Sequence, residues 1–285
     1  MNDIGWSRAG DPDVAMSIAI TLFLFVGVVL LIYWLASTSF GRTALDYSPL
    51  RRNAMAFYIP LIPFGVWIFL SAIAGSILSR VKSGFADWQQ ELLVLGCTAM
   101  IALAPLVITP CIVRGYFVRG FKGFGLDPRT IGKDIFGAAA KFIAVCPLVF
   151  GTLLLTVAIG KLIFGPDFEI QKHEELESLI KYPQWLIRVG VFFLAVVIAP
   201  LTEEVLFRGL FQSMFRNFTR RPWDAVLISS AIFAMAHANP GHWPALFVFA
   251  IGLGYAYEKS GSLFQPIFMH AFFNGVSVVA TLLQS

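Results

Sequence analysis

Residues 193–215 read FLAVVIAPLTEEVLFRGLFQSMF, which is apolar at most positions but carries two adjacent glutamates and an arginine. About 20 mostly apolar residues are enough for a helix that crosses the roughly 30 Å hydrocarbon core of a bilayer. The stretch therefore predicts a transmembrane helix with ionisable side chains at membrane depth. Such groups are costly there, so they are expected to be paired or to face a wet cavity and to serve a function.

The rest of the chain has the composition of an integral membrane protein. Of its 285 residues, 58% are hydrophobic and only 13% are charged, against about 25% charged in an ordinary soluble domain. Four apolar runs precede residue 185, at 14–36, 55–79, 91–113 and 135–164, and four more are crowded into 185–285. The pattern predicts an all-α, polytopic membrane helix bundle with about eight transmembrane helices.

The positions of the apolar runs divide the single predicted bundle into two regions. Residues 1–184 are expected to hold about four N-terminal transmembrane helices and, near 167–184, an amphipathic segment that lies along the interface. Residues 185–285 are expected to hold the C-terminal transmembrane helices with the ionisable groups. The three cysteines form no disulfide or metal pattern.

The basic residues indicate an orientation rather than a nucleic-acid partner. With the N-terminus outside, the connections on the inside hold 12 of the 21 basic residues. They are Arg42, Arg51, Arg52, Arg114, Arg119, Lys122, Arg129, Lys133, Arg216, Arg220, Arg221 and Lys259. The positive-inside rule then predicts that both termini lie outside, with membrane lipid as the surrounding partner.

The three ionisable groups of the fifth apolar helix divide into a pair and a single residue. Glu204 and Arg208 have the i, i+4 spacing of an intrahelical ion pair, which by itself is a structural explanation for both. Glu203 lies about 100° further round the helix and is left over. We expect the Glu204–Arg208 pair to hold Glu203 in position.

Other polar side chains reach the same depth from other helices. Glu203 lies about 20 Å from the inner end of its helix, and His237 lies about 21 Å into the sixth helix, which is expected to run to about residue 239. His270 lies about 10 Å into the eighth helix, and Asn274 follows one turn later on the same face. The sequence therefore predicts that these four side chains converge inside the membrane.

A glutamate, two histidines and an asparagine suit the hydrolysis of an amide. Glu203 can act as general base for a water that His237 helps to orient or activate. His270 and Asn274 can stabilise the oxyanion that forms when the water attacks a carbonyl carbon.

Two other chemistries use the same residue types. Glu203, His237 and His270 with an open water position resemble a catalytic zinc sphere, although the chain has no HExxH motif. No metal or other cofactor is favoured, and zinc stays open. Intramembrane Glu and His also form proton paths in ion-coupled transporters, but the polar groups are confined to the second half of the chain instead of recurring in matched halves.

Three motifs in order over about residues 190–280 resemble those of the CAAX-protease and bacteriocin-processing (Abi) family, which includes the type II CAAX prenyl endopeptidases. They are EExxxR at Glu203, Glu204 and Arg208, FxxxH at Phe233 and His237, and HxxxN at His270 and Asn274. The resemblance implies an intramembrane bundle of about eight helices whose conical cavity holds the glutamate, the histidines and the asparagine. It also implies proteolysis near a lipidated or membrane-embedded C-terminus, by a glutamate-activated water rather than a metal.

The sequence thus predicts an intramembrane endopeptidase that cuts a membrane-anchored protein, with a prenylated CAAX protein as one substrate class. The alternatives are a non-catalytic membrane scaffold or bacteriocin-immunity protein with the same fold, and an ion-coupled transporter. The short loops favour a bacterial plasma membrane over the endoplasmic reticulum.

Overall fold

Helices dominate the computed structural model, which describes residues 12–81, 84–170 and 174–283. Within these residues the β-type pairing is limited to one isolated bridge between Asn53 and Phe117. The helices are α1 (Pro12–Ser37), α2 (Leu61–Val81), α3 (Asp87–Tyr116), α4 (Gly120–Phe124), α5 (Ile131–Phe164), α6 (Glu174–Lys181), α7 (Trp185–Thr219), α8 (Pro222–Met235), α9 (Trp243–Ser260) and α10 (Phe264–Leu283). The prediction of an all-α, multi-pass membrane protein is confirmed.

The number of membrane-spanning helices differs from the predicted eight. Among the described residues, six helices are long and apolar enough to cross a membrane, namely α1, α2, α3, α5 with the turn before it, α7 and α10. Helix α8 is apolar but has only 14 residues, which is about 21 Å. Helix α9 is not one of the six, and its last turns carry Glu258 and Lys259. The expected count of eight is therefore not confirmed.

Helices α1 and α2 expose large apolar side chains over most of their length. Ile18, Phe25 and Ile32 of α1 and Phe69 and Ile77 of α2 are all more than half exposed. A continuous apolar surface of this size marks contact with a membrane or a partner. These helices are therefore placed to meet lipid.

Helix α5 joins the N-terminal and C-terminal parts of the chain. It packs against α1 on one side and against α9 and α10 on another. Its buried residues Ala138, Phe142, Val145 and Val149 recur at helical spacing and so form one face of the helix. That face shares a hydrophobic core with residues of α9 and α10, among them Phe249, Leu253 and Met269.

Helix α6 is the regular part of the segment expected near 167–184. Ser178 and Leu179 are buried whereas Ile180 is exposed, and the Ser178 hydroxyl donates to Glu91 of α3 at 2.7 Å. The helix packs against α7 and α10. Residues 171–173 of the expected segment lie outside the described residues, and its position at the interface stays a prediction.

A buried polar network joins the α1–α2 connection to the C-terminal helices. Arg51 forms an ion pair with Glu258, and both side chains are almost fully buried. Glu258 also lies 3.7 Å from the Arg216 guanidinium and accepts from the Gln212 amide at 3.1 Å. Arg51 stacks on the Tyr257 ring, 3.7 Å from its centroid. One carboxylate thus links the α1–α2 connection, α7 and α9.

Glu258→Ala is expected to destabilise the protein by about 3–5 kcal/mol, because it leaves two guanidinium groups in a buried site without a carboxylate. The thermal midpoint of the detergent-solubilised protein, followed by tryptophan fluorescence, measures the loss. The matched control is Asp127→Ala, which removes a carboxylate from the exposed Asp127–Arg129 pair. Hydrogen bonds from Arg129 hold the Asp127 pKa below its usual range, yet solvent screens this pair. Equal losses in the two variants would contradict the assignment.

Candidate active site

Helix α7 changes its hydrogen-bond pattern on both sides of the two glutamates. The α-helical turn Ala199–Glu204 lies between the π segments Leu194–Ile198 and Val205–Gln212. Such π segments alter the direction of the side chains and are frequent at functional sites. The Glu204 side chain is fully buried, whereas that of Glu203 is 15% exposed. The adjacent carboxylates therefore lie in different environments.

Glu204 binds two cationic or proton-donating side chains through one oxygen. Arg208 Nη1 donates to Glu204 Oε1 at 2.9 Å, and His270 Nδ1 lies 2.8 Å from the same atom. The Arg208 and Glu204 side chains are completely buried, and that of His270 is 6% exposed. An ionised carboxylate only accepts hydrogen bonds, so Nδ1 of His270 must carry a proton. The contact leaves Nε2 of His270 free to interact elsewhere.

This arrangement differs in one respect from the prediction. The Glu204–Arg208 pair was expected to hold Glu203, but its hydrogen bonds run to other helices. Glu204 contacts His270 of α10, and Arg208 Nη2 donates to the Ala250 carbonyl of α9 at 3.3 Å. The i, i+4 spacing reveals the pair but not which neighbouring helix completes it. The pair orients His270.

Phe233 of α8 separates the two histidines. Its side chain is 1% exposed, and its ring centroid lies 4.8 Å from that of His237 and 5.8 Å from that of His270. The Arg208 guanidinium carbon lies 4.4 Å from the same ring, which is cation–π geometry. Phe233 therefore fixes the positions of both imidazoles and of the arginine.

His237 follows the C-terminus of α8 instead of lying within the helix. Helix α8 ends at Met235, so the prediction that it runs to about residue 239 is wrong. His237 Nδ1 lies 2.8 Å from the Phe233 carbonyl oxygen, and the Trp243 indole donates to the His237 carbonyl at 2.8 Å. Since a carbonyl only accepts, Nδ1 carries the proton and Nε2 of the neutral ring is an acceptor.

Glu203 and His237 face each other across a gap. Glu203 Oε2 lies 4.0 Å from His237 Nε2, which is too far for a hydrogen bond. Oε2 is a buried atom that accepts no hydrogen bond from the described residues. Two acceptors at this separation can share one small donor placed between them, and a water molecule has the required two O–H groups.

Asn274 lies one helical turn after His270 on α10. Its amide nitrogen donates to the Ala195 carbonyl at 2.7 Å, and Ala195 belongs to the first π segment of α7. One of the two amide hydrogens is used in this bond, and the other remains available. The bond orients the amide and ties α10 to α7.

The four side chains predicted to converge line one cavity of about 190 Å³. The polar lining residues are Glu203, His237, His270, Asn274 and Ser277. The other lining residues are apolar: Leu176, Leu194, Ala195, Ala199, Leu246, Phe249, Phe273 and Val278. A concave apolar site with a few convergent polar groups is the usual form of a binding or catalytic site.

The zinc alternative requires three ligands around one point. Among the described residues, no group of three or more His, Cys, Asp or Glu side chains is close enough to hold a metal ion. Glu203, His237 and His270 line the same cavity without forming such a group. The donor set therefore does not fit a zinc ion in this arrangement.

Several residues that complete the site belong to none of the three sequence motifs. The carbonyls of Ala195 and Ala250 accept from Asn274 and Arg208, and the ring of Phe249 lies edge-on to His270 at 5.7 Å. Backbone acceptors have no signature in a sequence, and Phe249 is one of 28 phenylalanines. Nothing in the local pattern could have identified them.

Comparison with known proteins finds a family that resembles the part of the chain holding this site. Residues 184–276 match the family model described as "Type II CAAX prenyl endopeptidase Rce1-like". The match covers 93 of the 285 residues. The matched residues contain all seven members of the three motifs, so the resemblance stated from those motifs is confirmed.

A curated relative covers a shorter part of the chain. It is an "Uncharacterized 24.3 kDa protein" from Escherichia coli, 36% identical over 78 residues, which are 26% of this chain. The chain spans only 36% of the length of that relative. No solved structure matches the chain.

Arg208→Leu is expected to destabilise the protein by about 3–5 kcal/mol, because it leaves the buried Glu204 carboxylate with His270 alone. The double variant Arg208→Leu with Glu204→Leu removes both charges and is expected to be more stable than the single one. Thermal midpoints of the two variants and of Glu204→Leu complete a double-mutant cycle. Additive losses, with no recovery in the double variant, would show that the pair is not coupled.

Proposed function

We propose that this protein is an intramembrane endopeptidase that hydrolyses a peptide bond in a membrane-anchored substrate. The observation that carries the proposal is the 4.0 Å separation of Glu203 Oε2 and His237 Nε2 at the wall of an apolar cavity. The match of residues 184–276 to the Rce1-like family model supports a CAAX-type protease activity.

The first step is activation of a water by Glu203. A water between Glu203 and His237 donates one hydrogen to each acceptor and turns an oxygen lone pair away from them, toward the substrate. Glu203 takes the proton as the water oxygen bonds to the carbonyl carbon. The π electrons of the carbonyl move to its oxygen, which becomes an oxyanion.

His270 and Asn274 are the groups assigned to the oxyanion. Asn274 can donate its second amide hydrogen, since the first is held by Ala195. His270 already donates from Nδ1 to Glu204, so donation from Nε2 requires the imidazolium form. The negative charge of the Glu204 carboxylate stabilises that positive charge. The Glu204–Arg208 pair would thus act on the reaction through His270.

The second step returns the proton to the leaving group. Protonated Glu203 donates to the amide nitrogen as the carbon–nitrogen bond breaks, which releases an amine and regenerates the carboxylate. The carbonyl re-forms from the oxyanion to give the carboxylic acid product. The proton that Glu203 accepts and then donates comes from the water, so the scheme balances with the water and these side chains alone.

Glu203→Gln is expected to abolish cleavage, because an amide cannot accept the proton from water. We would incubate detergent-purified protein with membrane-anchored peptides, including a farnesylated CAAX peptide, and follow products by mass spectrometry. Glu169→Gln, which changes an exposed glutamate in the α5–α6 connection, is the matched control and should cleave normally. Unchanged cleavage by Glu203→Gln would contradict the assignment and favour another base.

The same assay distinguishes the alternatives. Activity that persists in a strong chelator supports the metal-free mechanism, whereas loss with recovery on adding Zn²⁺ would favour a zinc enzyme. A scaffold or immunity protein would give no cleavage with any peptide and would keep its phenotype in Glu203→Gln. A transporter would give ion flux in sealed vesicles without hydrolysis.

Asn274→Ala is expected to lower kcat by about 10²–10³-fold with little change in KM, because an oxyanion donor acts in the transition state. The exposed Asn217 at the far end of α7 supplies the matched control, Asn217→Ala. A large increase in KM with unchanged kcat would instead indicate that Asn274 binds the ground-state substrate.

A further inference from the structure

The connections that carry most basic residues meet at one end of the bundle. Lys259 Nζ donates to the Ala44 carbonyl of the α1–α2 connection at 2.8 Å. The Tyr257 hydroxyl donates to the Phe124 carbonyl of the α3–α5 connection at 2.8 Å. Arg216 reaches Glu258 from the end of α7. We call this the basic end, and it holds the 12 Lys and Arg residues assigned above to the inside.

The basic end is closed to a peptide. All eight residues of Val205–Gln212, which run from Glu204 toward this end, are buried. Tyr257 and Phe124 are fully buried beside them. At Gly209 a side chain would lie 2.2 Å from the Phe124 ring, so the contact between α4 and α7 is tight. These contacts pack the described residues tightly between Glu204 and this end.

The cavity extends in the opposite direction. On α7 the lining residues lie between Leu194 and Glu203, N-terminal to the buried segment. On α9 they lie in the first two turns, and on α10 they run from His270 to Val278, away from its start at the basic end. On α7 and α9 the lining residues therefore lie toward the end farther from the basic end, and on α10 they run from the seventh residue, His270, to the fifteenth, Val278.

Two features keep the opposite end open. Helix α8 is only about 21 Å long, so it ends below His237 and leaves that side of the site uncovered within the roughly 30 Å core. Leu176 of α6 lines the cavity, and α6 follows the end of α5 that is remote from the basic end. The side chains of His237 and Glu203 are 25% and 15% exposed, whereas that of His270 is 6% exposed, so the mouth is assigned to the side of α6.

The lining also limits the chemistry of the substrate. The described lining residues include no Lys or Arg, and Glu203 supplies a negative charge. An acidic side chain of the substrate beside Glu203 would be buried here without a Lys or Arg partner, since the positive charge of His270 is assigned to the oxyanion. The segment around the scissile bond should be apolar and uncharged.

We infer that the substrate is an apolar, uncharged segment of a membrane-anchored peptide that enters from the non-cytoplasmic leaflet. The inference rests on the proposed function and on the positive-inside rule, which assigns the basic end to the cytoplasm. A substrate held at the cytoplasmic leaflet would meet the closed end. The site therefore serves peptides presented on the far side of the membrane.

The first part of the test locates the two ends. In a background with Cys97, Cys111 and Cys146 changed to Ser, Glu169→Cys reports on the mouth end and Arg129→Cys on the basic end, and both positions are exposed. A membrane-impermeant maleimide added to right-side-out vesicles is expected to label Glu169→Cys at once and Arg129→Cys only after permeabilisation. The reverse pattern would overturn the inference.

The second part locates the activity. The probe is a pool of palmitoylated fluorogenic peptides with randomised apolar centres and a Lys-rich tail that holds them in the leaflet to which they are added. We expect cleavage in detergent and in right-side-out vesicles, none in sealed inverted vesicles, and none with Glu203→Gln. A matched pool with Asp in the apolar centre should be cleaved more slowly in detergent.

The outcomes separate the two proposals. No cleavage of any peptide in detergent would overturn the proposed function, and the inference with it. Cleavage in detergent and in inverted but not right-side-out vesicles would leave the protease intact and overturn the sidedness. Equal cleavage of the Asp-containing pool would overturn the requirement for an uncharged segment.

Discussion

The buried carboxylate of Glu204 is the interaction on which the rest of the site depends. One oxygen accepts from Arg208 of its own helix and from His270 of α10. In a fully buried position such a charge is tolerated only when it is paired and hydrogen-bonded. The pairing therefore fixes the distance between α7 and α10, while Arg208 adds a bond to the Ala250 carbonyl of α9. The carboxylate of Glu204 thus holds three helices in register. Phe233 packs against two of the groups that bind this carboxylate, Arg208 and His270.

The two adjacent glutamates have different roles. Glu204 is paired within the protein, whereas the proposed chemistry belongs to Glu203. Because Glu204 is neutralised within the protein, Glu203 can keep an oxygen without a hydrogen-bond partner among the described residues. The two π segments on either side allow α7 to direct one carboxylate into the protein and the next into the cavity. An unpaired acceptor beside a histidine is unfavourable for stability, and it is what the activation of water requires. Glu204 Oε2 and Arg208 Nε are also buried without a hydrogen-bond partner among the described residues, but of these three residues Glu203 alone lines the cavity.

The two ends of the bundle are built differently. At the basic end, Glu258 joins Arg51, Arg216 and Gln212 in a buried network. Toward the other end lies an apolar cavity lined by a few polar groups, beside short α8 and the adjacent turn. The proposed one-sided access rests on this difference between the two ends.

The sequence by itself determined the membrane bundle and singled out four polar residues that line one cavity. Long apolar runs have only one stable environment, and ionisable groups such as Glu203 and His270 stand out within them because charge at that depth is costly. The tertiary structure alone decided that Glu204 contacts His270 of another helix, that α8 ends before His237, and that six described helices pass the length and composition limits for a span instead of eight. Contacts such as Glu204–His270 and Arg208–Ala250 join residues that are 66 and 42 positions apart. Local spacing carries no information about which neighbouring helix will meet a given side chain, because that depends on how the helices pack.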